Sequence, residues 1–436
     1  MSHPKLITKE YRLPFIFITS LFFLWGLAHG MLDTLDKHFQ QILHLHKWQS
    51  SFIQFALYGA YFSMAIPAGL FMKRFGYKKG IVLGLFLFAS GALLIAGTAV
   101  FESFWVFLTC LFLLGCGLAT LETAANPYTT KLGPIETAER RINLSQSFNG
   151  LAWVLGPLIA LYIYNSNSEL EGEKFYSTIL PMLAIGLLVL TVAFVFMRLK
   201  LPEISEEDEV HAHGFTGNST EDKPSFHIPL KKQPLFVLGV IAQFSYVAAQ
   251  TGIFSYLINF VTDAGQHPRF DVKLAPYFLS IGFALFMIGR ISGSYLMSMV
   301  KPTVLLSICA VIAAILLPVV SMKLGWVSLI SLYSVFFVMS IMFPTLFALA
   351  IKDLGPQTKR ASSFLVMAIV GGAVFPPLMG LIADKFGMSI GFLAPIPFFV
   401  FIAYYAYRVH IVREVQMVKE VQIVGEVLIV GEVLKK

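Results

Sequence analysis

From Pro14 onward the chain runs through one apolar stretch after another, each close to the ~20 residues an α-helix needs to cross a bilayer. Twelve such segments can be read: 13–35, 50–72, 79–98, 103–130, 142–165, 177–198, 234–261, 274–299, 302–321, 325–350, 361–383 and 388–410. Hydrocarbon offers backbone groups no partner, so each segment must satisfy its own hydrogen bonds, and the helix does this. Composition agrees. The chain is 57% hydrophobic with a mean hydropathy of +0.74, and only 13% of its residues are charged, where a soluble domain carries about 25%. The expected fold class is therefore an all-α membrane protein of twelve transmembrane helices. Met1 to Arg12 is polar and the first apolar run continues at spanning length, so no cleavable signal peptide is expected.

Between the sixth and seventh segments lies "LPEISEEDEVHAHGFTGNSTEDKPSFHIPLKKQ", which is polar, acidic and suited to a flexible linker. It divides the chain into a cytoplasmic N-terminus (1–12), a first bundle (13–198), a linker (199–233), a second bundle (234–410) and a repetitive tail (411–436). The halves echo each other at an offset of about 220: Pro14 and Pro234 open them, "KLGPIETAERR" answers "DLGPQTKR", and Gly156-Pro157 answers Pro376-Pro377. Parallel repeats of this kind build two pseudo-symmetric six-helix bundles with a substrate site between them. The tail repeats "EV" every six residues, a period that fits neither a helix nor a heptad.

The net charge of +7 does not point to nucleic acid. With both termini cytoplasmic, most of the 32 Lys and Arg fall inside, at Lys5/Lys9/Arg12, Lys73/Arg74/Lys78/Lys79, Lys131/Arg140/Arg141, the linker and Lys359/Arg360. Cys110, Cys116 and Cys309 sit in apolar runs at spacings that suggest neither a disulfide nor a metal site, and read as small buried hydrophobes. His44 and His46 read as solvated loop residues.

Against this background the polar residues inside spans stand out. A carboxylate at the bilayer centre costs about 2.5–3.5 kcal/mol on insertion scales, yet "LETAANPYTT" places Glu122 in the fourth segment with Asn126 one turn later. Trp25, His29 and Asp33 are four apart on the first segment and share a face; Asn143, Gln146, Asn149 and Trp153 form a stripe on the fifth; Gln243, Tyr246 and Gln250 form one on the seventh, with Asn259 further along. Gln54 and Tyr58 on the second segment complete the candidate set. Amides and carboxylates that grip hydroxyls, beside aromatic faces, suit a sugar. Intramembrane amides also glue helices together. Glu122 admits three readings: an ion pair with Arg290, a ligand to cation or substrate, or a proton carrier. Asp33 admits two: proton coupling, or an interfacial bridge to Lys37.

Two sets of motifs carry a resemblance. "GLFMKRFGYKK" (69–79) resembles the loop motif of the major facilitator superfamily in Gly69, Arg74, Gly76, Lys78 and Lys79, with Lys73 in place of the motif's acidic member. "SLFFLWGLAHGMLDTL", "GLATLETAANPYTTKLGP", "RINLSQSFNG", "AQFSYVAAQTGIFSYLINF" and "FPTLFALAIKDLGPQTKRASSFLVMAIVGG" together resemble the fucose–proton symporter family of that superfamily. The resemblance implies the major facilitator fold, alternating access, and a monosaccharide taken up with a proton, or with sodium in some branches. It implies proton coupling at Asp33 and Glu122, and sugar contacts at Glu122, Gln146 and Asn149. Gln250 looks like the fucose branch, whereas His29 and Gly30 stand where fucose carriers have an Asn pair.

The expectation is a proton-coupled monosaccharide importer in a bacterial inner membrane, monomeric, without cofactor or bound metal and with no nucleic-acid partner. A sodium-coupled glucose/galactose or amino-sugar carrier is the rival; Asp36 lies close to Asp33, but no further acidic pair builds a sodium cage. Proton-driven export and a non-transporting sugar sensor are readings of other classes. No Ser/His/Asp, metal or phosphate-loop constellation suggests an enzyme.

Overall fold

The computed structural model describes residues 6–7, 9–42, 47–97, 103–166, 173–199, 201–202, 229–262, 275–352 and 354–433; side chains at 9, 31–42, 47–51, 54, 157, 160–166, 173–181, 275–276 and 416–433 lie outside that description. The first half comprises α1 (Arg12–Ile42), α2 (Lys47–Phe75), α3 (Tyr77–Gly97), α4 (Phe104–Lys131), α5 (Ala138–Ser166) and α6 (Glu173–Arg198). The second comprises α7 (Pro234–Thr262), α8 (Ala275–Leu296), α9 (Pro302–Ser321), a divided α10, a divided α11, and α12 (Ile396–Val433) after the short turn Met388–Gly391. Ten described stretches are long and apolar enough to cross a membrane, with a shorter apolar run at Met182–Arg198. The linker between the halves lies outside the described residues apart from its ends.

Small residues let the helices approach. A Cβ on Gly117 would lie 2.3 Å from the Phe88 backbone and one on Gly91 2.4 Å from that of Leu114, so α3 and α4 pack nearly backbone to backbone. The echo between halves is structural as well. Gly133 (φ 149°) precedes a 3-10 turn at Ile135–Thr137 and α5; Gly355 (φ 48°) opens a 3-10 turn at Gly355–Gln357 before α11. Both loops need a left-handed residue that glycine supplies. In the first, buried Arg141 ties the loop together, donating to the carbonyls of Pro134 (2.7 Å), Thr129 (3.2 Å) and Thr130 and to Thr137 Oγ1 (2.6 Å).

Two spans expected to be continuous are broken. The tenth divides into α10a (Trp326–Met339) and α10b (Met342–Ile351), and the eleventh into α11a (Thr358–Met367) and α11b (Gly371–Phe386), joined by a 3-10 turn at Ala368–Val370. Pro344 explains the first break, because it has no N–H to return to the Ser340 carbonyl four residues back. That carbonyl accepts instead from Arg290 Nε at 3.0 Å. The tail also differs from its period. No proline interrupts it, and the helical backbone of α12 continues to Val433.

The halves meet along α5 against α8 and α2 against α11a, while α10b contacts α4, α5 and α7. The face that carries the α2–α3, α4–α5, α8–α9 and α10–α11 connections and the ends of the linker is called the terminal face below.

Candidate functional site

A cavity of about 730 Å³ lies between the halves, within the size range of small-molecule sites. Much of its lining comes from the parts of the helices remote from the terminal face: Phe55 to Tyr61 early in α2, Val247 to Ile258 late in α7, Leu279 to Phe286 on α8, and Pro376 and Pro377 on α11b; Glu122, Gln146 and Arg290 lie deeper.

At its floor stands Glu122, buried with 7% of its surface exposed. The Tyr61 hydroxyl and the Asn126 amide lie beside its carboxylate, and Arg290 acts on it through its charge. Among the described residues the ion pairs are Lys301–Glu414 and Lys352–Glu139, so Glu122 and Arg290 do not form the pair that the sequence allowed. Arg290 is spent elsewhere. Its Nη1 donates to Gln146 O (2.6 Å) and Oε1 (3.1 Å) and reaches Asn149 Oδ1 at 3.4 Å, while its guanidinium lies 4.5 Å from the Phe286 ring centroid. Arg290 therefore joins the α5 amides to the Ser340 carbonyl freed by Pro344.

The amides are held from behind. Asn149 Nδ2 donates to Phe22 O at 3.1 Å, and Gln146 Nε2 donates to Asn126 Oδ1 at 3.2 Å. A Cβ on Gly26 would lie 2.7 Å from Asn149, so α1 presses α5 into place. Higher in the cavity, His29 stacks on Trp153 with ring centroids 5.8 Å apart. Its Nδ1 lies 3.1 Å from Trp25 O and its Nε2 3.5 Å from the Tyr61 hydroxyl. The Trp25 carbonyl can only accept, so Nδ1 carries a proton, and in the neutral imidazole Nε2 is then the acceptor of the second contact. The opposite wall is aromatic: Phe254 meets Phe283 at 5.0 Å, Phe286 at 5.4 Å and Phe336 at 4.8 Å.

Of the residues singled out in the sequence, Trp25, His29, Tyr58, Glu122, Gln146, Asn149 and Gln250 line the cavity. Asn126 and Tyr246 are fully buried beneath it, and Asn259 is exposed and does not line it. Asp33, Lys37 and Gln54 have side chains outside the description, and His44 and His46 lie outside it altogether. Sequence reasoning missed Tyr61, Thr251, Ser255 and the Phe254 cluster. Tyr61 had a signal, being a second polar-tipped ring three residues after Tyr58 and on the same face. The phenylalanines had none, since 41 of them are spread along the chain.

The chain matches the Major Facilitator Superfamily over residues 14–368. It is 36% identical over 401 residues to the L-fucose-proton symporter of Escherichia coli K12, covering 87% of this chain and 89% of that one. It is 35% identical over 404 residues to the glucose/galactose transporter of Brucella abortus biovar 1 (strain 9-941), covering 90% and 93%. The crystal structure of the transporter FucP in the outward conformation superposes with a TM-score of 0.80 at 34% identity, over 92% of this chain and 99% of that one. With these matches along nearly its whole length, the chain belongs to the Major Facilitator Superfamily, in the fucose–proton symporter family.

Proposed function

We propose that this protein imports a monosaccharide of the L-fucose or glucose/galactose class together with a proton, by alternating access, across a bacterial inner membrane with both termini in the cytoplasm. The observation that carries the reading is the carboxylate of Glu122, the one carboxylate among the described lining residues, on the floor of a cavity walled by amides on one side and aromatic rings on the other. Its near neighbours are the neutral Tyr61 and Asn126. Asn126, and Tyr61 once its hydroxyl turns from His29, can present a donor to the ionised carboxylate, and both offer an acceptor oxygen to the protonated one. Such surroundings accommodate either form, as a group that carries a proton requires. The relatives named for L-fucose–proton symport and for glucose/galactose transport are about equally similar, so the sugar is set here at the class that covers both. Both walls of the cavity come from one chain, which supports a monomer as the working unit. Asp33, one turn beyond His29 on α1, is assigned as a second coupling carboxylate from its place in the sequence.

The test is uptake in proteoliposomes of radiolabelled L-fucose, D-galactose and D-glucose under imposed proton or sodium gradients. Accumulation should follow the proton gradient. Asp33→Asn, which mimics the protonated form, should abolish accumulation and leave counterflow largely intact. The stake is about 2.3 kcal/mol per charge per 100 mV. Accumulation that requires sodium and moves no protons would overturn the reading.

A further inference from the structure

Beneath the cavity floor, toward the terminal face, Asn126 on α4, whose amide faces Glu122, lies among three buried side chains with polar atoms that hydrogen-bond to no protein group: Asn143 Oδ1 on α5, and on α7 both amide atoms of Gln243 and the Tyr246 hydroxyl. All four are fully buried. Polar atoms desolvated without a partner destabilise the state that holds them, so their retention calls for another state in which they are used.

Their positions form a ladder with the cavity. Asn126 lies four residues after Glu122, Asn143 three before Gln146, Tyr246 four before Gln250, and Gln243 three before Tyr246. These spacings keep each on the face of its cavity-lining partner. At 1.5 Å rise per residue the inner set is displaced by ~5–10 Å toward the terminal face. Three helices from two halves thus repeat the polar lining one step further in.

The short helix α10b closes this step. Thr345 accepts from Asn143 Nδ2 at 3.1 Å, Phe343 packs on the Tyr246 ring at 6.3 Å, and Ala350 fills the space beside Gly239, where a Cβ would come within 2.7 Å of its own. Gln243 sits between Gly239 and Tyr246 on α7, and so faces the middle of α10b. All ten residues of α10b are buried, and Thr345 is the one with a polar side chain. The plug covers the unpaired groups without satisfying them.

We propose that Asn126, Asn143, Gln243 and Tyr246 form a second, inner hydroxyl-binding subsite, which takes the same monosaccharide once α10b withdraws and from which the sugar leaves at the terminal face. The inference rests on the transport reading above. An amide such as Gln243, with one acceptor and two donors, suits neighbouring hydroxyls of a pyranose.

Gln243→Leu and Tyr246→Phe remove the unpaired groups with little change in volume. Each is assayed with whichever of radiolabelled L-fucose, D-galactose or D-glucose the wild type carries, in right-side-out and in everted membrane vesicles. Both variants should raise KM measured from the terminal face by ~3- to 10-fold, the loss expected of a neutral hydrogen bond. KM from the opposite face should stay within two-fold of wild type in Gln243→Leu. Equal KM values from the terminal face in wild type and both variants would overturn the subsite while leaving the transport reading intact. A rise from both faces together would also overturn it, since it would place these groups in the outer site. Failure of the wild type to carry any of the three sugars would overturn both readings, and that result is visible before any variant is made.

Discussion

Two seams join the halves, and they are built from different chemistry. Where α2 meets α11a the contact is steric: a Cβ on Gly69 would come within 3.1 Å of both the Lys359 carbonyl and Ser363 Cβ, and Lys359 rests its ammonium 5.0 Å over the Tyr77 ring. Where α5 meets α8 the contact is polar. Arg140 Nε donates to Ser294 O at 3.2 Å, Ser294 Oγ returns a bond to Arg140 O at 3.0 Å, and Arg290 spans to Gln146 and Asn149. A steric seam can be opened only by parting the helices. A polar seam can be engaged by a ligand that offers hydroxyls, and Arg290 lines the cavity together with the amides it holds in place. On the transport reading proposed above, the α5/α8 seam is the one a bound sugar engages, whereas Gly69, Lys359 and Ser363 of the α2/α11a seam do not line the cavity.

The strongest way to break this contrast is at Arg290. Arg290→Ala removes hydrogen bonds to a charged group worth about 1.5–3 kcal/mol each, so sugar affinity should fall by ~10- to 150-fold or more, read by calorimetry in detergent. Arg290→Lys should recover little, because an ammonium cannot reach Gln146, Asn149 and Ser340 at once as the planar fork does. Recovery by Lys would show that charge alone matters and that the seam is not geometric.

At the steric seam, size should matter instead. Gly69→Leu overfills the α2/α11a contact, a change that typically costs 1–3 kcal/mol, and should shift the sealed state toward opening by ~5- to 150-fold. A cysteine placed at the buried Ala350 should then react with a thiol reagent from the terminal face faster than in the wild-type background. Gly69→Ala should have a smaller effect, since Ser363 Oγ can rotate away. Equal effects of Ala and Leu would count against a steric seam.

The smallest effect is expected at Ser294→Ala. It deletes one neutral hydrogen bond and keeps the Arg140 bond to the Ser294 carbonyl, so the uptake KM should move by about two-fold, corresponding to ~0.5 kcal/mol. A ten-fold change would mean that the α5/α8 seam depends on this pair more than on Arg290.

The spans and the echo between halves were legible because the bilayer imposes length and apolarity on each segment separately, and no tertiary knowledge is needed to read them. The polar stripes on α1, α4, α5 and α7 were legible for the same reason, as costly exceptions inside apolar runs. Partner choice was not. Glu122 and Arg290 looked like natural partners, yet Pro344, far along the chain, frees a carbonyl that helps to hold the guanidinium toward α5 and α10. The break in α10 was recoverable from that proline by counting four residues back. The Phe254 cluster was not recoverable, since an apolar ring in an apolar helix looks the same whether it faces lipid or sugar. Asn259, near the end of its span, sits on the exposed side and outside the cavity lining, a placement that helical spacing alone does not fix.

The unbroken backbone of α12 has a practical consequence for imaging. From Ile396 to Val433 it runs 38 residues, about 57 Å at helical rise, against a hydrocarbon core of ~30 Å. A small rigid domain fused in register near Val433 would therefore be carried clear of the detergent belt on a continuous helical stem, giving particle alignment a fiducial outside the micelle.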